Sequence, residues 1–544
     1  MDSSFLNAPV SVPKLSGFDK SHHNLLTALP GTITPILIDE LIPGSKVNLN
    51  LALSATLPPL ASDTFMKCSV KVESFFIPFR ILAGSFESWF TDEPVQFVDY
   101  TGTDTYVSGK GFLPTFGLFS SVDATTLVSS GTFNAGSLAD YLGFRLPPSS
   151  TTTIETTSFS LMPFLAYGRV YHDWYRNSLI QREVFLRPTA AGDLSPYSYQ
   201  QCAGTAPYFF FRPNYTNIST LKFLSCADGV SVFSLRQRNF GLDYFTTATP
   251  SPQQGSAEVV SFSTSGSTGQ FSIAALRAAN SMQQFKERNN LAGNQYVEQL
   301  YARYGVRPSD GVAQRSLYLG GAEYECYTKG IFQTVDGTAS NNPFSTTGAQ
   351  YGHGRASGNS HIADFEAKEP GYLLVCATLV PRASYSTGIH RRFTHYVGAG
   401  SLSDLANPIL QNVGPQPIYQ YELNGNVSSN IFGYTDRYAE FKTMDDELHG
   451  KVRDGSSLSS FALQRSFAGN TTPTITDAFL KIPTNFMDQI TAVQSDISSY
   501  GCWMDMYFDY KVAQPLAKYA LPSLQDPAYE HGKTIVVNRG GFKL

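Results

Sequence analysis

Charge is what this chain has least of. Asp, Glu, Lys and Arg make up 15% of its 544 residues, against about 25% in ordinary globular domains. So few charges cannot coat a large free surface. Part of that surface is therefore expected to be buried against copies of the same chain, because interfaces are poor in charge and rich in aromatics. A secreted β protein whose Ser and Thr replace surface charge is the plainer alternative. A basic excess is also lacking: the net charge is −5, which excludes a strongly basic nucleic-acid binder as a description of the whole chain. Any enclosed nucleic acid would have to be met by local patches, counterions or a separate basic protein.

Paired cysteines are absent as well. Cys68, Cys202, Cys226, Cys326, Cys376 and Cys502 are scattered, with no CxxC, so no zinc or redox motif is visible and reduced thiols are expected. No apolar run approaches a membrane span, and the first residues, "MDSSFLNAPVSVPKLSGFDK", hold no apolar signal core. No HExxH, Walker loop or GxSxG elbow occurs. The acidic group Asp445, Asp446, Glu447 and His449 lacks the spacing of a calcium loop and reads as a solvated turn. His172 reads as a packing histidine, and Asp505 and Asp509 as the polar face of one strand. Neither a catalytic residue, a metal ligand nor a cofactor is expected.

Aromatics are plentiful, with 39 Phe and 30 Tyr. Alternation marks strands at both ends. Val47, Leu49, Leu51 and Leu53 share one face of 46–53. Cys68, Val70 and Val72 share one face of 68–73, and Met504, Met506, Phe508, Tyr510 and Val512 one face of 504–512. Strands 46–53 and 504–512 are expected in one sandwich, with Leu49 and Phe508 in its core. "GYLLVCATLVP" at 371–381 is continuously apolar and predicts a strand buried on both faces. A helix is predicted over 271–288, with Phe271, Ala275, Ala278, Met282 and Phe285 on its apolar face. A second follows, with Val297, Leu300, Tyr301 and Tyr304 inward, and stops at Gly305 and Pro308. A third covers 161–179, where Pro163 is tolerated in the first turn. Residues 101–157, 188–230 and 330–360 read as long turn-rich loops.

Six segments in order carry a resemblance. They are "IDELIPGSKVNLNL" at 38–51, "LMPFLAYGRVYHDWYRN" at 161–177, "FGLDYFTTATPSPQQG" at 240–255, the stretch 276–321 beginning "LRAANSMQQFKERNN", "FGYTDRYAEFK" at 432–442 and "FDYKVAQPLAKYALPSLQD" at 508–526. Together they resemble the major capsid proteins of the Microviridae, in their gokushovirus branch. The resemblance implies a mainly β fold: a single eight-stranded antiparallel jelly roll, 1–544, with long interstrand insertions containing a few helices. It implies a structural protein, not an enzyme. Many copies would close a T=1 icosahedral shell around a circular single-stranded DNA genome. An internal scaffolding protein and a DNA pilot protein are the implied partners, with assembly in the host bacterial cytoplasm, a bacterial surface receptor and no membrane insertion. Gokushovirus proteins place a long insertion, which builds a threefold protrusion, just before the 271–288 helix. Here only 256–272 lies there, and the stretch before Phe240 is expanded instead. Residues 101–157 and 188–232 are therefore expected to project outward and attach to the host.

Nucleic acid has two candidate contacts. "HRRFTHY" at 390–396 offers Arg391 and Arg392 to phosphates; an arginine pair held by a neighbour's carboxylates is the alternative. The C-terminal arm 530–544 carries Lys533, Arg539 and Lys543, and its "TIVV" at 534–537 is expected to add a strand to a neighbour. Leu49, Phe285 and Phe508 are the expected core and assembly residues. A jelly-roll carbohydrate-binding protein and a secreted polysaccharide-degrading enzyme are the rivals, and both would be favoured by a signal peptide.

Overall fold

The computed structural model describes residues 8–10, 15–62, 64–65, 67–83, 86–91, 94–98, 104–110, 115–118, 134–144, 157–184, 230, 232–257, 273–332, 350–394, 406–426, 430–470, 472–492, 501–516 and 535–537. Ten strands build two antiparallel sheets. They are β1 (Ser16–Asp19), β2 (His22–Ala28), β3 (Thr34–Leu41), β4 (Lys46–Thr56), β5 (Cys68–Pro78), β6 (Leu317–Glu325), β7 (Tyr327–Phe332), β8 (Gln350–Glu366), β9 (Gly371–Pro381) and β10 (Cys502–Gln514). One sheet has the order β6-β5-β9-β3. The other has the order β7-β8-β4-β10, with β1 and β2 following one another along the free side of β10.

Alternation decides which way each strand faces. In β4 the odd-numbered residues from Val47 to Ala55 are buried while their neighbours are more open. In β10 the even-numbered residues from Cys502 to Gln514 are buried. The two strands pair directly, with Leu51 opposite Phe508 and Leu49 opposite Tyr510. Leu49 and Phe508 are both 0% exposed, in one apolar core shared with Val70, Val72, Leu373 and Val375 of the facing sheet. Each such aliphatic side chain contributes about 1.5–3 kcal/mol relative to exposure.

The continuous apolar run of β9 has a direct cause. Leu373, Val375, Ala377 and Leu379 enter the core between the sheets. Leu374 and Cys376 point the other way, into a second core formed with Phe75, Ile77 and a helix, α1 (Met162–Val170). Pro163 stands in the first turn of α1, and a π-helical turn, Tyr171–Tyr175, continues it. Tyr167 of α1 locks it to the sheet: its hydroxyl donates to the Ile33 carbonyl at 2.8 Å and accepts the Arg236 N–H at 2.8 Å.

Two long insertions leave the sandwich, 79–316 after β5 and 382–501 after β9. They meet in a third core, where Tyr244, Phe245 and Ala248 pack on Tyr385, Ile418, Phe432 and Phe479. Backbone bridges Asn239–Lys481 and Thr249–Tyr434 stitch them together.

Several expectations need correcting. Residues 350–360, expected as loop, belong to the seventeen-residue strand β8. Its glycines permit close approach: a Cβ at Gly354 would stand 2.6 Å from Leu57 Cδ1, and one at Gly352 would strike the Ser62 carbonyl. Residues 104–110 and 115–118, also expected as loop, pair as short strands with 94–98 and 157–160. The helix expected over 271–288 runs through the "NNLA" break as α2 (Ile273–Ala292), and α3 (Tyr296–Tyr304) ends at Gly305 with φ +69°. Much of the expected inward faces is open, with Phe285 44% exposed and Tyr304 73% exposed, while Val297 and Leu300 are half-buried. Residues 535–537, expected on a neighbour, pair antiparallel with Ala8–Val10 of the same chain. The greater part of 101–157, nearly all of 188–232, and Lys533, Arg539 and Lys543 lie outside the described residues.

Candidate functional site

Arg391 and Arg392 sit on a short 3-10 turn, Arg391–Phe393, where the insertions meet. His390 opens the turn, its Nδ1 accepting the Arg392 N–H at 3.1 Å. The two arginines then diverge. Arg391 is 6% exposed. Its Nη1 donates to the Pro417 carbonyl at 2.6 Å, and its guanidinium lies 3.6 Å from both Glu422 and Glu440 and over the Tyr419 ring. A phosphate reaching Arg391 would have to displace these partners. The carboxylates that hold it come from its own chain, where a neighbour's had been the alternative. Arg392 is half-exposed and meets Glu447 at 3.3 Å, which also meets His449 at 3.2 Å.

Together these residues line a cavity of about 470 Å³ with Tyr244, Tyr385 and Asp445. Its electrostatics are those of burial. Desolvation pushes Glu422 up to about 7, against the Tyr419 N–H, Arg391 and the Tyr244 hydroxyl, which favour the anion; Glu440 opposes it. Desolvation, then Asp243, raises Asp445 to about 6. Burial also disfavours the charge of Arg391, but Glu422, Tyr244 and Glu440 outweigh it and hold its pKa above the ordinary value. These ion pairs lie within the second insertion, and the Tyr244 hydroxyl, donating to Glu422 at 3.1 Å, ties the first insertion to them. Among the described residues, no group of His, Cys, Asp and Glu is arranged to hold a metal ion. Asp446 is taken by Arg382 at 2.5 Å. The four described cysteines are free and buried.

A second polar node was missed in the sequence. Asp173, 5% exposed, accepts from Arg169 Nε at 3.0 Å, and from the Ser316 N–H at 2.9 Å and hydroxyl at 3.0 Å; His172 Nδ1 stands 3.1 Å away. Despite burial, these partners hold its carboxyl at about 2. It ties the end of α1 to the entry of β6. The signal was present in "YHDWYRN", where an acid stands amid aromatics, but its partner Ser316 lies 143 residues away.

The model of a phage family described as "Capsid protein (F protein)" matches residues 9–268 and 261–524. This chain belongs to the F capsid protein family. Three relatives named "Capsid protein VP1" are similar over nearly their whole length. Those of Chlamydia phage 1 and Bdellovibrio phage phiMH2K are each 23% identical, over 96% of this chain and 98% and 97% of theirs. That of Spiroplasma virus 4 is 22% identical over 91% of this chain and 92% of its own. The alignment with the Chlamydia phage protein spans 619 positions, more than the 544 residues of this chain. That relative therefore carries segments that this chain lacks. The family places this chain in a phage virion as a structural component of the Microviridae, not as an enzyme.

Proposed function

We propose that this chain is the major capsid protein, closing a T=1 icosahedral shell around a circular single-stranded DNA genome. The whole-length family match carries the reading. The sheet orders support an eight-stranded jelly roll. Four strands, β2-β10-β4-β8, face four, β3-β9-β5-β6, across one core, while β1 and β7 extend the first sheet. Residues 101–157 and 188–232 face outward and attach to the bacterial receptor. An internal scaffolding protein assists assembly in the host cytoplasm, and a DNA pilot protein accompanies the genome. Genome phosphates are met by Arg392 and by Lys533, Arg539 and Lys543 of the arm, with Arg391 bracing the same turn. Cations placed inside a shell gain from releasing counterions condensed on DNA. Among the described residues, no helix is long and apolar enough to cross a membrane.

Expression with and without the scaffolding protein, followed by negative-stain microscopy, tests this. Icosahedral particles containing this chain are expected. A soluble monomer, with or without glycan binding or glycan cleavage, would return the two rivals. Deleting 530–544 is expected to reduce DNA-filled particles more than empty shells. Equal loss of both would make the arm a stitch between subunits.

A further inference from the structure

The two outer faces of the sandwich are unlike. The sheet β6-β5-β9-β3 turns its outer face to the second apolar core, under α1. The sheet β7-β8-β4-β10 turns its outer face to solvent, and the aromatic side chains there, Tyr327, Trp503 and Tyr507, belong to none of the three apolar cores among the described residues. Strand register fixes what that face carries, because residues opposite one another share a side. One row across four strands reads Tyr327, Arg355, Thr56 and Trp503. Lys329 and His353 lie opposite each other, two residues along from Tyr327 and Arg355. Tyr507 stands on the same side of β10 as Trp503, with the His23 ring of β2 4.8 Å from its own.

These rings are open: Tyr327 is 69% exposed, Trp503 46% and Tyr507 40%. The floor between them is small and polar, with Thr56, Ser54 and Ser357 side by side, so a flat group can lie close to it. From the usual strand spacing and rise, Trp503 lies about 14 Å from Tyr327 and about 13 Å from Tyr507. Ring faces at such intervals suit a polymer with a flat group at each repeat, rather than one compact molecule. Charge chooses between a polymer of bases and one of sugars. Arg355 bonds Ser54 Oγ at 3.1 Å, and neither it nor Lys329 meets a carboxylate among the described residues. Asp505 is the one acid in these rows, and it faces His23 at 3.9 Å. Farther along the sheet, beside Asp364, the acids Asp509 and Glu366 are met by Lys511 and Lys46. Cations without acidic partners beside open rings hold single-stranded nucleic acid, the rings stacking on bases and the cations meeting phosphates.

We propose that the open face of β7-β8-β4-β10 is a platform for single-stranded DNA, with bases stacked on Tyr327, Trp503 and Tyr507 and phosphates met by Arg355 and Lys329. The choice of DNA rests on the capsid reading, and it turns this face of the sandwich toward the inside of the shell.

Fluorescence anisotropy of a labelled oligothymidine with the unassembled full-length chain tests the platform. The pair Tyr327→Ala/Trp503→Ala is expected to weaken binding by about tenfold or more. The pair Lys329→Gln/Arg355→Gln is expected to weaken it and to flatten the salt dependence by about 0.7 in log–log slope for each cation removed. Both pairs are expected to keep the melting temperature, since all four side chains are exposed. Unchanged affinity in either pair overturns the proposal, and so does displacement of the DNA by a neutral glucan, which would make the face a sugar platform. Ultraviolet irradiation of filled particles needs no substitution: thymine adducts are expected on Tyr327, Trp503 or Tyr507, and adducts confined to other surfaces overturn the proposal. Particles that form and fill normally with both pairs substituted would strike the platform and leave the capsid reading standing. A chain that binds DNA on this face yet appears in no particle would strike the capsid reading and leave the platform.

Discussion

The sandwich and the helical hairpin use the same kind of signal and end differently. β4 and β10 alternate apolar and polar residues, and every apolar face meets a partner in its own chain. α2 repeats apolar residues at helical spacing, and its face stays open. Periodicity says that a face will be covered; it does not say by which molecule. In a shell protein both answers are needed. The sandwich must be complete before assembly, and the joining surfaces must not be.

The largest effect of a single substitution is expected in the sandwich. Leu49 is fully enclosed, and an unpaired carboxylate there has no compensation. Leu49→Asp is expected to abolish folding, seen as insoluble protein without a cooperative melting transition. Soluble, assembly-competent Leu49→Asp would refute its place in the core.

Asp173 comes next. Removing one partner of a buried, hydrogen-bonded pair costs about 3–5 kcal/mol, so Asp173→Ala is expected to lower stability by that amount in denaturant titration. Its carboxyl, held at about 2 against an ordinary 3.8, binds fewer protons folded than unfolded. Its contribution, roughly 2 kcal/mol, is present above pH about 4 and is lost as pH falls toward 2.

Glu422 works with the opposite sign. Its folded value, about 7, lies above the ordinary 4.5, so the folded chain holds the proton more tightly. Stability is expected to fall by on the order of 3 kcal/mol as pH rises from about 4.5 to about 7. Glu422→Gln is expected to flatten that slope. An unchanged slope would place the titrating group elsewhere, with Asp445 the next to test. Smallest of all is the hairpin in the unassembled chain. Phe285→Ala is expected to cost under about 1 kcal/mol there, against the 3–5 kcal/mol typical of a buried Phe. A cost in the buried range would mean that the face is covered without a partner.

Much of the sandwich was legible because its signals are local. Alternation placed β4, β5 and β10, and the unbroken run of β9 announced a strand with a core on either side. β8 was hidden because Gly352, Gly354 and Gly358 look like turn residues, whereas the neighbours Ser62, Leu57 and Tyr324 leave no room for a Cβ. The polar nodes were hidden for another reason. Asp173 finds Ser316 at the far end of the first insertion, and Arg391 finds Glu422 and Glu440 farther along the second, and nothing in local sequence announces such meetings. For Arg391 and Arg392, adjacency in sequence concealed opposite surroundings, one enclosed among carboxylates and one at the rim.

The sandwich closes within one chain, and the shell is built from many copies of that chain. A cryo-electron microscopy reconstruction of the virion reads both together. An icosahedral shell made mainly of this chain, with Leu49 and Phe508 enclosed between the two sheets of every copy, is the expected result. A particle in which this chain is a minor component, or a subunit in which β4 and β10 do not pair, would contradict it.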